Sequence, residues 1–174
     1  MSPPKEDWPA ALHRVLKGAK VAHMSYVPDA GHARLIDLFL ADPDMVCNVL
    51  TTEEEGVAIA AGAWLGGERS VLLMQSSGVG NCINMLSLPA MARFPLLMLV
   101  TMRGEWGEFN PWQLAMGQGT PPALQTAGVV VQRVDHAEEV REHVFAAAQL
   151  TFNTSRPVAL LISQRIVGFK DWSK

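Results

Sequence analysis

The sequence has few of the residues that hold small secreted domains or metal centres together. Its only two cysteines, Cys47 and Cys82, stand in apolar stretches, without a Cys-x-x-Cys pair or a cysteine–histidine spacing suited to zinc. We therefore expect buried, reduced thiols of the kind found in cytosolic proteins, with no disulfide and no metal site in this chain.

Positive charge and long apolar runs are also missing. The 14 Lys and Arg residues are outnumbered by 17 Asp and Glu, so the chain lacks the basic surface that holds nucleic acid by its phosphates. No apolar run is long enough to cross a bilayer, and the opening "MSPPKEDW" has no basic segment followed by an apolar one. These absences predict a soluble, cytoplasmic protein that binds neither nucleic acid nor membrane.

The residues that are present predict one globular domain, residues 1–174. With 49% hydrophobic and 18% charged residues, the chain can build a substantial core. Six β-rich runs are apolar along their whole length, which is typical of parallel strands covered on both faces. They span residues 21–27, 46–50, 70–75, 95–101, 128–134 and 157–163.

The segments between these runs have helical spacing of apolar residues. We place helices at residues 6–16, 31–40, 54–65, 80–92, 122–127 and 136–152. This alternation of strands and helices predicts an α/β fold, a three-layer α/β/α sandwich around a mostly parallel six-stranded sheet. The connection at residues 103–120 is long for a compact domain, which favours a functional lid or an interface segment.

Polar or glycine-rich segments follow the first four predicted strands: "YVPDAGH", "TTEEEG", "SSGVGN" and "MRGEWG". Ligands of parallel α/β sheets bind beyond the carboxyl ends of the strands, so these segments form the candidate site. In the third, Gly78 and Gly80 would let backbone N–H groups approach an anionic ligand closely. A tight strand-to-helix turn capped by Ser or Asn is the alternative explanation of the same residues.

The acidic triplet at residues 53–55 opens a helix of small apolar residues. Thr52 can serve as its N-cap with Glu55 as the reciprocal partner, and negative charge is favourable at a helix start. Glu54 shares a helix face with Val57 and two alanines, so we expect its side chain to be buried. A buried carboxylate without a partner is costly, and such residues tend to be functional.

In this order, the segments resemble the pyrimidine-binding domain of thiamine diphosphate (ThDP)-dependent decarboxylases, most closely the phosphonopyruvate and sulfopyruvate decarboxylase group. The resemblance covers nearly the whole chain and rests on five stretches: "YVPDAGHARLIDLF", "TTEEEGVAIAAGAWLGG", "MQSSGVGN", "PLLMLVTMRGE" and "AMGQGTPPALQTAGV". It implies that a glutamate at the start of the third predicted helix hydrogen-bonds N1′ of the cofactor's aminopyrimidine. A gapless helix alignment favours Glu54 and an adjacent Glu-Gly pair favours Glu55. The residues implied beside the ring are Gly78, Val79, Gly80 and Asn81.

The resemblance also implies a partner chain. ThDP enzymes hold the diphosphate through Mg²⁺ with a Gly-Asp-Gly stretch and a downstream Asn, and this sequence contains no Gly-Asp-Gly. We therefore expect a beta subunit of similar size that carries the motif and Mg²⁺ and shares ThDP with this chain in a hetero-oligomer with homodimeric contacts. The isolated chain should then expose an apolar surface.

Substrate contacts implied by the resemblance lie after the first, third and fourth strands. Asp29 and Ala30 belong to the pocket, although relatives usually carry Ser-Leu where this chain has Ala30-Gly31. His32 could bind a carboxylate or move a proton, or could be a solvent-exposed residue at a helix start. Gln75 and Ser76 could face the substrate or cap the next helix. Arg103 could bind an anionic tail, or pair with Glu105 or Glu108.

The function that these residues and the resemblance together predict is the alpha subunit of a ThDP-dependent decarboxylase. It would convert a 3-sulfo- or 3-phosphono-pyruvate-like acid to an aldehyde and CO₂. Two alternatives stay open: a carboligase that adds the decarboxylated fragment to a second carbonyl compound, and a non-catalytic binding or regulatory module that retains only the fold.

Overall fold

The computed structural model describes residues 7–169. Six strands form one sheet in the order β2-β1-β3-β4-β6-β5, and every pair of neighbours is parallel. The predicted α/β fold is confirmed, and each predicted strand is present within one or two residues of its expected ends. The strands β1 to β6 are Val21–Tyr26, Val46–Val49, Arg69–Gln75, Leu96–Thr101, Val130–Val134 and Pro157–Ile162.

Helices pack on both sides of the sheet, and its central strands β3, β4 and β6 are buried almost throughout, as apolar parallel strands require. The edge strands β2 and β5 are mostly exposed or half-buried, so the expectation that all six strands are covered on both faces was wrong for these two. Side chains of α1, α2 and α7 form one core with one face of the sheet, and those of α3, α4 and α6 form a second core with the other. The helices α1 to α8 are Trp8–Gly18, Ala33–Leu40, Glu53–Leu65, Ser76–Cys82, Ser87–Ala92, Leu114–Thr126, Val140–Thr154 and Gln164–Val167. None of the helices within residues 7–169 combines the length and apolar composition that a membrane span requires.

The strand order creates a crevice at the carboxyl ends of β1 and β3. The chain passes from β1 to β2 on one side, then returns across β1 to reach β3 on the other. Such a reversal leaves a gap between the loops at the strand ends, which is where doubly wound sheets bind ligands.

The segment after β3 differs from its prediction. A single helix was expected from residue 80 to 92, with a glycine-rich turn before it. Instead α4 begins directly after β3 at Ser76, so that Gly78 and Gly80 lie inside a helix, and a break separates it from α5. The turn interpretation is therefore wrong, and a glycine at position 78 has another cause, described below.

The connection at residues 103–120 also differs, because it contains the first half of α6. Two prolines, Pro121 and Pro122, lie inside this helix, where a missing N–H and a ring clash normally end one. The helix is nevertheless packed closely against its neighbours. A Cβ on Gly117 would come within 2.4 Å of the Arg103 carbonyl oxygen and 2.7 Å of the Gly104 Cα, so α6 lies directly on the loop after β4.

This contact gives a stability prediction. Gly117→Ala should destabilise the protein by about 1–3 kcal/mol, because the atoms in its way are backbone and cannot rotate aside. Gly62→Ala is the matched control, since Gly62 is also helical and a Cβ there would meet nothing within 4 Å; it should stabilise by about 0.5–1 kcal/mol. Urea unfolding measures both, and equal effects would contradict the described packing.

Candidate functional site

Each carboxylate of the acidic triplet has a different environment. Glu55 is exposed and accepts a hydrogen bond from the Thr51 N–H at 2.8 Å, and Glu54 is half-buried and accepts one from the Thr52 hydroxyl at 2.9 Å. Glu53 is the buried member, with 7% of its surface exposed. Glu54 and Glu55 therefore accept hydrogen bonds from the residues just before the helix, and Glu53 is buried in the protein.

The expectation that Glu54 is buried was wrong by one residue. The buried face of α3 consists of Glu53, Gly56, Val57 and Ala60. The apolar residues of α3 stand on all its faces, so their spacing did not reveal which face is buried. The side chain of Asn81, already predicted beside the cofactor, contacts Glu53, and no pattern in the sequence reveals this contact.

Glu53 is held between α3 and α4. Its Oε2 accepts a hydrogen bond from Asn81 Nδ2 at 2.7 Å. A Cβ on Gly78 would lie 2.3 Å from Glu53 Oε1, so only glycine at this position leaves room for the carboxylate. Within residues 7–169, no group donates a hydrogen bond to Oε1, which leaves this atom for a donor from outside the described chain.

The other residues predicted beside the cofactor differ in how far they are buried. The Val79 side chain is fully buried in the second core, so only its backbone could face a ligand. Gly80 is half-buried and packs against the Met116 side chain. Cys82 is buried below Glu53, and this burial together with the nearby carboxylates raises the pKa of the thiol to about 12. Cys82 is thus a neutral free thiol, and Cys47 is a free thiol that is half-buried.

A second group of polar side chains lies in the crevice between β1 and β3. The Asp29 carboxylate accepts hydrogen bonds from the Thr101 hydroxyl at 2.6 Å and from Gln75 Nε2 at 2.9 Å. A cavity of about 230 Å³ opens beside it, lined also by Ala30, Arg103 and Phe169. The structure therefore brings Asp29, Ala30, Gln75 and Arg103 together, as the sequence predicted.

The Ala30-Gly31 departure from the family pattern has a steric basis here. A Cβ on Gly31 would come within 2.9 Å of Thr101 Cγ2 and 3.0 Å of Asp29 Oδ2. A larger side chain at position 31 would push these two residues apart. In this chain the cavity wall therefore depends on a glycine.

The structure contradicts two predicted substrate contacts, because the side chains are fully buried. His32 is the buried residue directly before α2, and its Nε2 is 3.1 Å from the Leu99 carbonyl oxygen, to which it donates. Burial lowers the pKa of the ring, so the imidazole is neutral at pH 7. Neither direct substrate binding nor the solvent-exposed alternative fits this position. Ser76 is also buried, and its hydroxyl accepts a hydrogen bond from the Arg103 N–H at 3.1 Å, a structural role.

Arg103 pairs with Glu108, one of the two partners left open by the sequence. Its Nε and Nη2 donate to the two carboxylate oxygens at 2.7 and 2.6 Å. The Glu108 side chain is 3% exposed and also accepts hydrogen bonds from three backbone N–H groups and from Gln164 Nε2. The guanidinium of Arg103 is the main cause that lowers the pKa of Glu108 to about 2.

A connection between this loop and the C-terminal segment was missed by sequence reasoning. Gln164, fully buried in α8, accepts hydrogen bonds from the backbone N–H groups of Glu105 and Trp106. Glu105 in turn accepts from the Gln164 N–H and pairs with Arg133. No pattern in the sequence linked these residues, because α8 is a single turn that lies far along the chain from the loop.

Comparisons with known proteins show the family to which this chain belongs. Residues 27–169 match the family described as "Pyruvate flavodoxin/ferredoxin oxidoreductase, thiamine diP-bdg". The alpha subunit of sulfopyruvate decarboxylase from Methanothermobacter thermautotrophicus is 33% identical over 159 residues, which cover 91% of this chain and 96% of that protein. Phosphonopyruvate decarboxylase from Streptomyces viridochromogenes is 32% identical over 156 residues, which cover 88% of this chain and 39% of that protein.

A solved structure shares the fold at lower sequence similarity. The 2-oxoglutarate:ferredoxin oxidoreductase from Magnetococcus marinus superposes with a TM-score of 0.69 over 92% of this chain and 29% of that chain, at 13% identity. The fold and the family match together define a thiamine diphosphate-binding domain, and the chain belongs to that family. Within it, the similarity over most of the chain is to alpha subunits of sulfopyruvate decarboxylase, which confirms the resemblance drawn from the sequence.

Proposed function

We propose that this chain is the alpha subunit of a ThDP-dependent decarboxylase that acts on a 3-sulfo- or 3-phosphono-pyruvate-like acid. The observation that carries the proposal is Glu53, a carboxylate at the head of α3 that is almost buried, pressed on Gly78 and hydrogen-bonded at one oxygen only. We assign to Glu53 the contact with the aminopyrimidine that the sequence alone had placed at Glu54 or Glu55.

The residues fit the pyrimidine half of the cofactor. A carboxylate can share a proton with a ring nitrogen, and Oε1, to which no group of residues 7–169 donates, is where such a partner would meet it. Asn81 fixes the other oxygen, so the carboxylate stays in one orientation, and the core holds Val79 and the backbone beside it. ThDP, when bound, supplies the centre that accepts electrons from the bond to the departing CO₂.

The remaining machinery would come from a partner. The sequence contains no Gly-Asp-Gly, and the three relatives of similar length are called alpha subunits. The Streptomyces enzyme matches this chain over only 39% of its own length, so more than half of that protein has no counterpart here. We place the diphosphate and Mg²⁺ contacts on a beta subunit of this kind, with ThDP between the two chains.

A candidate surface for that partner lies on α4 and α6, which pack together where Gly80 meets Met116. Three large apolar side chains are exposed on these segments: Ile83 directly after α4, Trp112 just before α6 and Leu114 at its start. We call them the apolar patch. Trp112 is 81% exposed, and aromatic residues of this kind dominate the binding energy of protein interfaces. The position of the patch beside the predicted cofactor contacts favours the partner over other occupants.

Trp112→Glu should therefore weaken binding of the beta subunit about tenfold or more, because it places a charge where an apolar contact is needed. Leu65→Glu is the matched control, since Leu65 is 88% exposed at the far end of α3, and it should leave binding unchanged. Titration of one subunit against the other measures both dissociation constants. Equal weakening by the two variants would place the interface elsewhere.

The experiment that tests the function uses both subunits. The two chains are co-expressed and purified, and ThDP content, Mg²⁺ content and CO₂ release from sulfopyruvate and phosphonopyruvate are measured together. We expect cofactor and activity in the complex and neither in this chain alone. Activity only in the presence of an acceptor aldehyde would indicate a carboligase, and a complex that binds no ThDP would overturn the proposal.

A further inference from the structure

The C-terminal part of the described chain forms one wall of the cavity beside Asp29. Three of the lining residues, Val167, Gly168 and Phe169, belong to the end of α8 and the residues that follow it, whereas the others lie at the carboxyl ends of β1 and β4. Phe169 is the largest apolar residue of this lining. Its side chain is therefore the main apolar contact that the wall can offer to a substrate in the cavity.

The Phe169 ring packs directly on the backbone of Gly107. A Cβ on Gly107 would come within 2.8 Å of Phe169 Cδ1 and 2.9 Å of Phe169 Cγ, and the backbone φ at Gly107 is +61°. Glycine is the residue that adopts such a φ readily and also leaves room for the ring. The ring cannot move further towards Gly107, because backbone atoms already lie in contact with it.

The segment that carries Phe169 is also attached to the loop after β4 at its other end. Gln164 is fully buried, and its Oε1 accepts hydrogen bonds from the N–H groups of Glu105 and Trp106 at 3.1 and 3.0 Å. Its Nε2 donates to Glu108 Oε2 at 3.0 Å. Because both ends of the stretch 164–169 contact this loop, the position of the Phe169 ring is fixed relative to the cavity.

The size of the cavity makes the position of this ring important. Its volume of about 230 Å³ lies below the range of about 300–1,000 Å³ that is usual for pockets of drug-sized ligands. A cavity of this size suits a small acid, and each additional methylene must find space against the wall. Phe169 is 55% exposed, which places it at the rim, where the distal end of a longer substrate would meet it.

We propose that Phe169 is a specificity-determining residue that limits the length of the 2-oxo acid accepted by the cavity. Its ring acts as a stop that Gly107 supports from behind and Gln164 keeps in place. This inference rests on the proposed function and deepens it, because it selects short acids among those that carry the same charged tail.

The test compares two acids that differ by one methylene. In the complex of both subunits, kcat/KM is measured for 3-sulfopyruvate and for its longer homologue 2-oxo-4-sulfobutanoate, which carries the same charges, so that a cation binding the tail affects both acids alike. Phe169→Ala should raise the ratio of the longer to the shorter acid about tenfold or more, since one methylene in an apolar pocket is worth a factor of this size. Phe169→Trp should lower the ratio.

Phe145→Ala is the matched control. Phe145 lies on α7, is 56% exposed and does not line this cavity, so the ratio should stay within about threefold of wild type. A ratio that Phe169→Ala leaves within about threefold, or a rise caused by Phe169→Trp or by Phe145→Ala as large as that of Phe169→Ala, would overturn the inference. A wild-type complex that releases CO₂ from neither acid would contradict the proposed function, and the inference would fall with it.

Discussion

Glu53→Gln should reduce decarboxylation by the two-subunit complex by about 10²–10⁴-fold while leaving the fold intact. The amide has the shape of the carboxylate and can keep the hydrogen bond with Asn81, but it cannot take up a proton, and proton transfer by a positioned side chain contributes an effect of this size. The measurements are CO₂ release from sulfopyruvate and the rate of proton exchange at C2 of bound ThDP. Both should fall together.

The same helix turn provides the controls. Glu54→Gln and Glu55→Gln remove one charge each from neighbouring positions, where the carboxylates only accept hydrogen bonds from Thr52 and Thr51. They should lower activity by less than about threefold and stability by less than about 1 kcal/mol. A loss confined to one control would move the assignment to that residue, either Glu54 or Glu55, as the resemblance had implied. Full activity in all three variants would contradict the proposed mechanism.

This assignment shows what sequence reasoning could resolve in the site. It identified the acidic triplet, the glycines of α4 and Asn81 as one site, because strand ends of a parallel sheet meet at one edge. It could not select the residue within the triplet, because the phase of a helix is read from apolar spacing and α3 is apolar on nearly every face. Contact with Gly78, which the sequence does not reveal, is the reason that we propose Glu53.

For the fold, the strands were predicted well and some of the helices were not. All six strands were predicted from apolar runs, but only β3, β4 and β6 are buried almost throughout, whereas the edge strands β2 and β5 are mostly exposed or half-buried. The sequence predicted only a short helix at residues 122–127 in place of α6, because Pro121 and Pro122 locally disfavour a longer one. In the structure, α6 packs on α4 and on the loop at Arg103 despite these prolines. Predictions from local sequence were wrong where packing decides the structure, and in this chain the mispredicted helices α4 and α6 lie beside the candidate site.

Glu108→Gln should destabilise the chain by about 3 kcal/mol at pH 7, the largest stability effect that we expect. Its carboxylate lies at the centre of the loop after β4, and removing its charge leaves Arg103 without a counterion in a largely buried position. Asp44→Asn is the control, since Asp44 is 80% exposed and its bond to Lys17 lies at the surface; it should cost less than about 1 kcal/mol. Urea unfolding of the isolated chain measures both.

The pH dependence of this difference separates charge from shape. In the folded protein the pKa of Glu108 is lowered from 4.5 to about 2, so its contribution is fully present above pH 4.5 and is lost as the pH falls towards 2. A shift of this size corresponds to about 3 kcal/mol, in agreement with the expected cost of the substitution. The gap between wild type and Glu108→Gln should therefore close as the pH falls from 4.5 to 2. A gap that persists at pH 2 would mean that the amide fails for steric reasons, and the Arg103–Glu108 pair would not be what holds the loop.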